Sequence, residues 1–230
     1  MKVEILEFIE GARQSCGAAV IIDVFRAFST ACYAFDAGAV RFIATNEPEK
    51  AFRLKKSYRQ SVLTGERDEK KIEGFDFGNS PTEIIKHDLT GYTVIQTTTA
   101  GTNGLLAAIN ADTLLAGSLV NAGAIINYLK VLDPPSVSLV AMGYRASMHA
   151  DEDLLCAEII KAGLNGEGKD FTGSINGLRH GAGKRFFDPE NIDFSPPTDY
   201  FLCTMYNRFD FILKGERRTD GNIDLVKIDL

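Results

Sequence analysis

The chain has 230 residues, 45% hydrophobic and 24% charged, the proportions of a globular protein with a buried core, which excludes general disorder. Lys and Arg number 25 against 31 Asp and Glu, and the net charge of −6 gives no global positive field to hold a nucleic-acid backbone. No apolar run reaches the roughly 18 residues of a membrane span, and the first residues alternate charge with apolar side chains instead of forming a signal-peptide core, so the cytoplasm is the expected compartment.

In chain order, short apolar runs rich in Val, Ile and Phe predict strands, and the segments between them carry apolar residues at helical spacing. A strand over 18–22 precedes a helix over 28–37, a strand over 40–44 a helix over 48–56, and a strand over 62–64 a helix over 81–86. The third helix opens on Ser80-Pro81 with Glu83 following, an N-cap with proline at the first helical position. Strands over 92–96, 113–116 and 137–141 alternate with helices over 104–109, 121–129 and 152–162. The glycine-rich 163–183 and the acid- and proline-containing 186–197 read as a loop or hinge. A last helix over 198–208 and strands over 209–213 and 223–226 follow, the strands joined by a charged tip with Asp220-Gly221 as the turn.

This alternation predicts one three-layer α/β/α domain over 1–230 with a mostly parallel sheet. Laying 20–51 over 93–124 aligns strand, Ala- and Thr-rich turn, helix and second strand. An internal repeat and the generic likeness of α/β units both account for that match. Ligands of open α/β sheets bind beyond the carboxyl ends of strands, so the turns after 22 and after 96 are candidate site elements. The cysteines Cys16, Cys32, Cys156 and Cys203 are far apart with no Cys-x-x-Cys, which predicts reduced, mostly buried thiols over a zinc site or disulfides.

Several polar residues stand out at these ends. Asp23 follows the apolar run 18–22, with Arg26 three positions on, and a lone Asp there would be a helix cap. Gly65-Glu66-Arg67 follows another strand, and Gly74-Phe75-Asp76-Phe77-Gly78-Asn79-Ser80-Pro81 follows soon after. Thr97-Thr98-Thr99-Ala100-Gly101-Thr102 offers hydroxyls and backbone N–H groups at a helix mouth, a suitable place for a phosphate oxygen or simply a Thr-rich cap. Asp151-Glu152-Asp153 opens a helix, where acids are favoured by the dipole in any case. Gathered at one edge, Glu66, Asp76, Glu152 and Asp153 would form a negative cluster requiring a divalent cation. Oxygen donors without a thiolate or imidazole set indicate Mg²⁺. His87, His149 and His180 show no metal-ligand spacing.

Together, Ile22-Asp23-Val24-Phe25-Arg26-Ala27 with Ser29-Thr30, the Gly65 and Gly74 elements, the Thr97–Thr102 turn, and Glu152-Asp153-Leu154-Leu155-Cys156-Ala157 resemble the 2-phosphosulfolactate phosphatase family. The resemblance implies a Mg²⁺-dependent phosphatase acting on phosphate monoesters of small 2-hydroxy acids, 2-phospho-3-sulfolactate giving 3-sulfolactate on the route to coenzyme M. For that chemistry Glu66, Asp76, Glu152 and Asp153 are expected to form the Mg²⁺ shell, directly or through water, and Arg26 and Arg67 to bind phosphate or carboxylate bidentately. Asp23 acts as the base that orients water or as the nucleophile. Thr97, Thr98, Thr99, Gly101 and Thr102, with Asn79 and Ser80, would bind the substrate. Phe25 stands where the second Asp of an Asp-x-Asp phosphatase motif would be, which disfavours an aspartyl-phosphate path. The region 163–197 departs from the family pattern and is where the reading of the substrate's acid end is expected. The competing reading is a non-catalytic binder of phosphorylated or sulfonated metabolites. A homodimer is expected only from the general frequency of symmetric pairs among small metabolic enzymes.

Overall fold

A run such as Ala19-Val20-Ile21-Ile22 needs cover on both faces, and in the computed structural model, which describes residues 1–230, all four side chains are fully buried. The first half of the chain forms β1 (Lys2–Glu7), α1 (Phe8–Gln14), β2 (Gly17–Ile22), α2 (Ala27–Asp36), β3 (Arg41–Thr45), α3 (Pro48–Ser57), β4 (Ser61–Arg67), β5 (Lys70–Lys71) and α4 (Pro81–Ile84). Then come β6 (Thr93–Thr97), α5 (Gly101–Ala107), β7 (Ala111–Gly117), α6 (Ala122–Leu132), β8 (Ser136–Ala141) and α7 (Asp151–Leu164). The last part holds α8 (Thr172–Gly177), α9 (Pro197–Cys203), β9 (Phe211–Arg217) and β10 (Ile223–Asp229).

The ten strands form one sheet in the order β1-β8-β2-β7-β9-β10-β3-β6-β4-β5. β1, β8, β2 and β7 are parallel neighbours, and so are β3, β6 and β4. The antiparallel pair β9–β10 stands between these groups, antiparallel also to β7 on one side and β3 on the other. The sheet is therefore mostly parallel with an antiparallel centre. The chain crosses from the first group to the second through α2 and returns through α5. The aligned stretches 20–51 and 93–124 thus occupy mirrored places about β9–β10.

One face of the sheet, with Ile21, Phe42, Val94, Leu114 and Leu213, packs against α2, α4 and α5. The opposite face is covered in two parts: α6 and α7 lie over Val20, Ile22, Leu115 and Leu139, and α3 lies over Ile43, Leu63 and Ile95. These are the three layers. α5 approaches the sheet closely because Gly104 has no side chain; a Cβ there would lie 2.3 Å from Met142 Sδ and 2.8 Å from Ile21 Cγ2.

Two elements lie outside the expected ones: β1, an edge strand in which charged and apolar residues alternate from Lys2 to Ile5, and α1, a seven-residue helix that begins without a side-chain cap. The expected loop 163–197 instead contains α8 and three 3₁₀ turns, which bury Ile175, Leu178 and Phe186 despite their glycine-rich setting. The helix expected over 198–208 stops at Cys203, and Asn207 shortly beyond takes a left-handed conformation (φ 55°). The cysteines are all free, with Cys16 exposed and the other three buried. No helix is long and apolar enough to cross a membrane.

Candidate active site

Three antiparallel pairings separate β7 from β3, so the two parallel groups run in opposite senses along the sheet. Twist of about 20–25° per strand accumulates over the five steps from β2 to β6. The carboxyl ends of β2, β4, β6 and β8 nevertheless meet at one place, joined by carboxylate side chains. The Cβ that Gly65 lacks would lie 2.0 Å from Thr97 O, which is how the end of β4 lies against the end of β6.

Asp23, immediately after β2, takes N–H donors from Ala27 on Oδ1 (3.0 Å) and Gly101 on Oδ2 (2.9 Å). Burial pushes its carboxyl up to about 6, aided by the neighbouring Glu66 charge and opposed by the two N–H groups and the more distant Arg185. Glu66, at the end of β4, accepts from the Thr99 backbone N–H (2.7 Å) and hydroxyl (3.2 Å) and from the Glu69 N–H (3.0 Å). Asp153, on the first turn of α7, accepts from Val24 N–H (2.7 Å) and Gly143 N–H (2.9 Å), pinning the β2 and β8 ends together. Burial raises Asp153 well above the usual range, and the charges of Glu152 and Asp23 add to it. Glu152 is 5% exposed, its Oε2 has no hydrogen-bond partner, and burial pushes it up to about 7 against the attraction of Arg185.

Two chambers open at these ends. The inner one, about 50 Å³, is lined by Asp23, Glu66, Asn79, Thr99 and Arg26 among others, and the outer one, about 390 Å³, by Glu152, Asp151, His149 and Met148 among others. Glu69, Tyr144 and Arg185 border both. Arg185 pairs with Glu69 and donates to Phe25 O (3.2 Å). It arrives from the Ala182–Phe187 3₁₀ turn, inside the segment whose glycines and prolines suggest only a loop. No sequence motif marks it.

Other expected members stand elsewhere. Asp76 caps Leu63 N–H (2.7 Å) and pairs with Lys55 (2.5 Å), outside both chambers, so it braces the Gly74 loop against α3 and β4. Arg67 donates to its own neighbour's carbonyl, Glu66 O (2.9 Å), and to Asn46 O (2.8 Å), and likewise lines neither chamber. Arg26 does line the inner chamber, yet its charge is matched by fully buried Asp199 at 2.6 Å. Asp199 also accepts from the Ser80 hydroxyl (2.8 Å) and Thr82 N–H (2.9 Å), so Ser80 faces Asp199 and caps α4. The sequence offers Asp199 only as an ordinary acid in the first turn of a helix.

The threonine turn also differs from the expected phosphate cradle. Thr98 and Thr102 bond each other at the start of α5, Thr97 is fully buried, and the N–H groups of Thr99 and Gly101 are taken by Glu66 and Asp23. Protein carboxylates fill the donors from inside. The expected shell of Glu66, Asp76, Glu152 and Asp153 does not gather, and no three His, Cys, Asp or Glu side chains converge as a metal cluster.

A family model for 2-phosphosulpholactate phosphatase matches residues 5–177, most of the chain. The chain belongs to the 2-phosphosulpholactate phosphatase family. A Bacillus subtilis (strain 168) protein named probable 2-phosphosulfolactate phosphatase is 32% identical over 214 residues, 90% of each chain. Proteins of the same name from Carboxydothermus hydrogenoformans and Thermotoga petrophila are 41% identical over 134 residues and 36% over 146. They span 58% and 64% of this chain and 56% and 62% of their own lengths. The family match includes Asp23, Glu66, Glu152 and Asp153 and stops before Arg185.

For this phosphatase-family chain the raised carboxyls give a definite stability profile. Asp23 and Glu152 in the folded state retain protons that the unfolded chain releases near its ordinary values of 3.8 and 4.5. Their stabilisation is therefore complete below about pH 4 and is lost as pH rises through about 6 to 7, by up to about 1.4 kcal/mol per pH unit for each group. Melting temperature measured in chelator is expected to reflect that loss between pH 5 and 7.5 when compared with an Asp23→Asn, Glu152→Gln double variant, whose profile is flatter. Identical slopes would show that neither group titrates in this window.

Proposed function

We propose that this chain hydrolyses the phosphate monoester of a small 2-hydroxy acid, 2-phosphosulfolactate giving sulfolactate and phosphate, with Mg²⁺ as cofactor in the cytoplasm. The observation that carries the reading is the pair of buried carboxyls, Asp23 and Glu152, pushed up to about 6 and 7 on opposite sides of Arg185 at the strand ends of a chain in this family. Unaided hydrolysis of such esters is among the slowest reactions known, so catalysis rests on positioning a water and neutralising phosphoryl charge.

Asp23 is the base. A carboxyl near 6 is ionised at neutral pH and still basic enough to take a proton from water, and its two N–H donors hold it in one orientation. The orphaned Glu152 oxygen fits a hard cation that takes one or two carboxylates and completes its shell with water and substrate. Mg²⁺ bound there would neutralise the phosphoryl oxygens. Asn79 accepts from Gln96 Nε2 on its side-chain oxygen (3.3 Å), and its amide nitrogen is left to donate to a phosphoryl oxygen. Asp153 positions the β2 and β8 ends and leaves proton transfer to Asp23.

The test is phosphate release from 2-phosphosulfolactate, phospholactate, phosphoglycolate and 2-phosphoglycerate, with Mg²⁺ and with excess chelator. Release from the sulfonated ester that disappears in chelator is expected. Undiminished turnover in chelator would remove the metal, and tight binding without release would make the chain a metabolite-binding protein.

A further inference from the structure

The inner chamber has room for only a few waters, too little for a three-carbon acid carrying a phosphate and a second anionic group. What bounds it toward the outer chamber is the Arg185–Glu69 ion pair with Tyr144 beside it. Three observations distinguish Arg185 from a structural arginine. Its ion pair is about one-fifth exposed on each side, whereas the Arg26–Asp199 pair is sealed at 3% and 0%. Its Nε is buried with no hydrogen-bond partner, so one donor of the guanidinium fork is left unpaired. Its plane rests among rings that hold it without binding its donors, with centroids 5.1 Å away at Phe186, 5.7 Å at Tyr144 and 6.0 Å at Phe25.

Glu69, its partner, sits at the left-handed tip of the β4–β5 hairpin (φ 68°), next to Asp68, which is also left-handed (φ 51°) and pairs with Arg145 at 2.7 Å. The hairpin tip thus presents two carboxylates to two arginines across the mouth of the cleft. A carboxylate that holds a guanidinium fork in this way occupies the position that an anionic ligand group would take.

We propose that Arg185 reads the sulfonate of the substrate in the reading given above, the anionic group beyond phosphate and carboxylate, and that Glu69 is the internal stand-in which this group displaces. Displacement joins the two chambers, letting the phosphate lie by Asp23 while the sulfonate meets the guanidinium. The proposal rests on the phosphatase reading and adds the residue that discriminates among its substrates.

The experiment compares 2-phosphosulfolactate with 2-phospholactate, which has a methyl group in place of the sulfonated carbon. It uses the full-length wild type, Arg185→Ala, Arg185→Lys and Glu69→Gln. Wild type is expected to prefer the sulfonated ester in kcat/KM. Arg185→Ala should lower that preference on the order of 10–100-fold, mostly through KM, with a smaller loss on phospholactate. Arg185→Lys should recover part of it, since a point charge replaces the fork. Glu69→Gln, which leaves the arginine in place, should tighten binding of the product sulfolactate by calorimetry, a readout independent of turnover and of whether Arg185→Ala folds. Equal losses on both esters, or weaker sulfolactate binding in Glu69→Gln, would overturn the inference and leave the phosphatase reading intact. Hydrolysis of neither ester by wild type would overturn both.

Discussion

Asp23→Asn and Glu152→Gln are each expected to lower phosphate release by about 10²–10⁴-fold, the range in which a positioned proton-transfer or charge-organising group contributes. The two variants fail for different reasons. An Asn at 23 cannot take the water's proton, and it sets an amide nitrogen against either the Ala27 or the Gly101 N–H, so a modest loss of stability accompanies the loss of rate. A Gln at 152 disturbs no existing bond of Oε2, which has none, and removes only the charge. Its melting temperature above pH 7 should equal or exceed that of wild type, because an ionised carboxylate is no longer buried. Steady-state hydrolysis and thermal melts on the same preparations separate these effects. Near-normal turnover in both variants would end their assignment to the reaction.

Asp199→Ala is expected to destabilise the fold by about 3–5 kcal/mol, because it leaves the Arg26 guanidinium buried without its counter-charge. For a chain of this length that corresponds to a fall in melting temperature of roughly 6–20 °C. The bond network makes the effect larger than a single pair suggests. One carboxylate ties α9 to Arg26 ahead of α2 and to Ser80 and Thr82 at α4, segments separated by more than a hundred residues. Replacing both partners with apolar side chains, as Arg26→Met with Asp199→Leu, should recover much of the loss, since the cost of desolvating both charges also disappears. A melt of Asp199→Ala within a degree or two of wild type would mean that the pair contributes little to the fold.

What the sequence makes legible follows from how local each signal is. The strands over 18–22, 92–96 and 137–141 announce themselves because parallel strands buried on both faces must be continuously apolar. Asp23 stands out as the polar end of such a run, and Ser80-Pro81 marks a cap through neighbours in the chain. By contrast, an arginine has the same appearance in a sequence whether it faces a ligand or a carbonyl. Arg26 and Arg67 sit inside recognisable motifs, yet the first is neutralised by Asp199 and the second bonds main-chain oxygens. Arg185 lies in an unmarked 3₁₀ turn and borders both chambers. Asp76 fails for a similar reason: its motif is distinctive because a tight loop needs an internal brace, and the carboxylate is that brace. The threonine turn was legible as a cluster of donors, but nothing nearby in sequence shows that Asp23 and Glu66 already fill them.

The placing of β9–β10 bears on how the protein is made. β7 and β3 are both complete once residue 117 has been synthesised, yet each keeps one edge unpaired until residues 211–229 arrive to lie between them. From then until the hairpin arrives the nascent chain therefore carries two open edges, each able to add a strand from another molecule, and the two parallel groups remain unjoined. Lys214, Glu216, Arg217 and Lys227 place charges along the closing hairpin, which disfavour its pairing with another molecule before it reaches those edges.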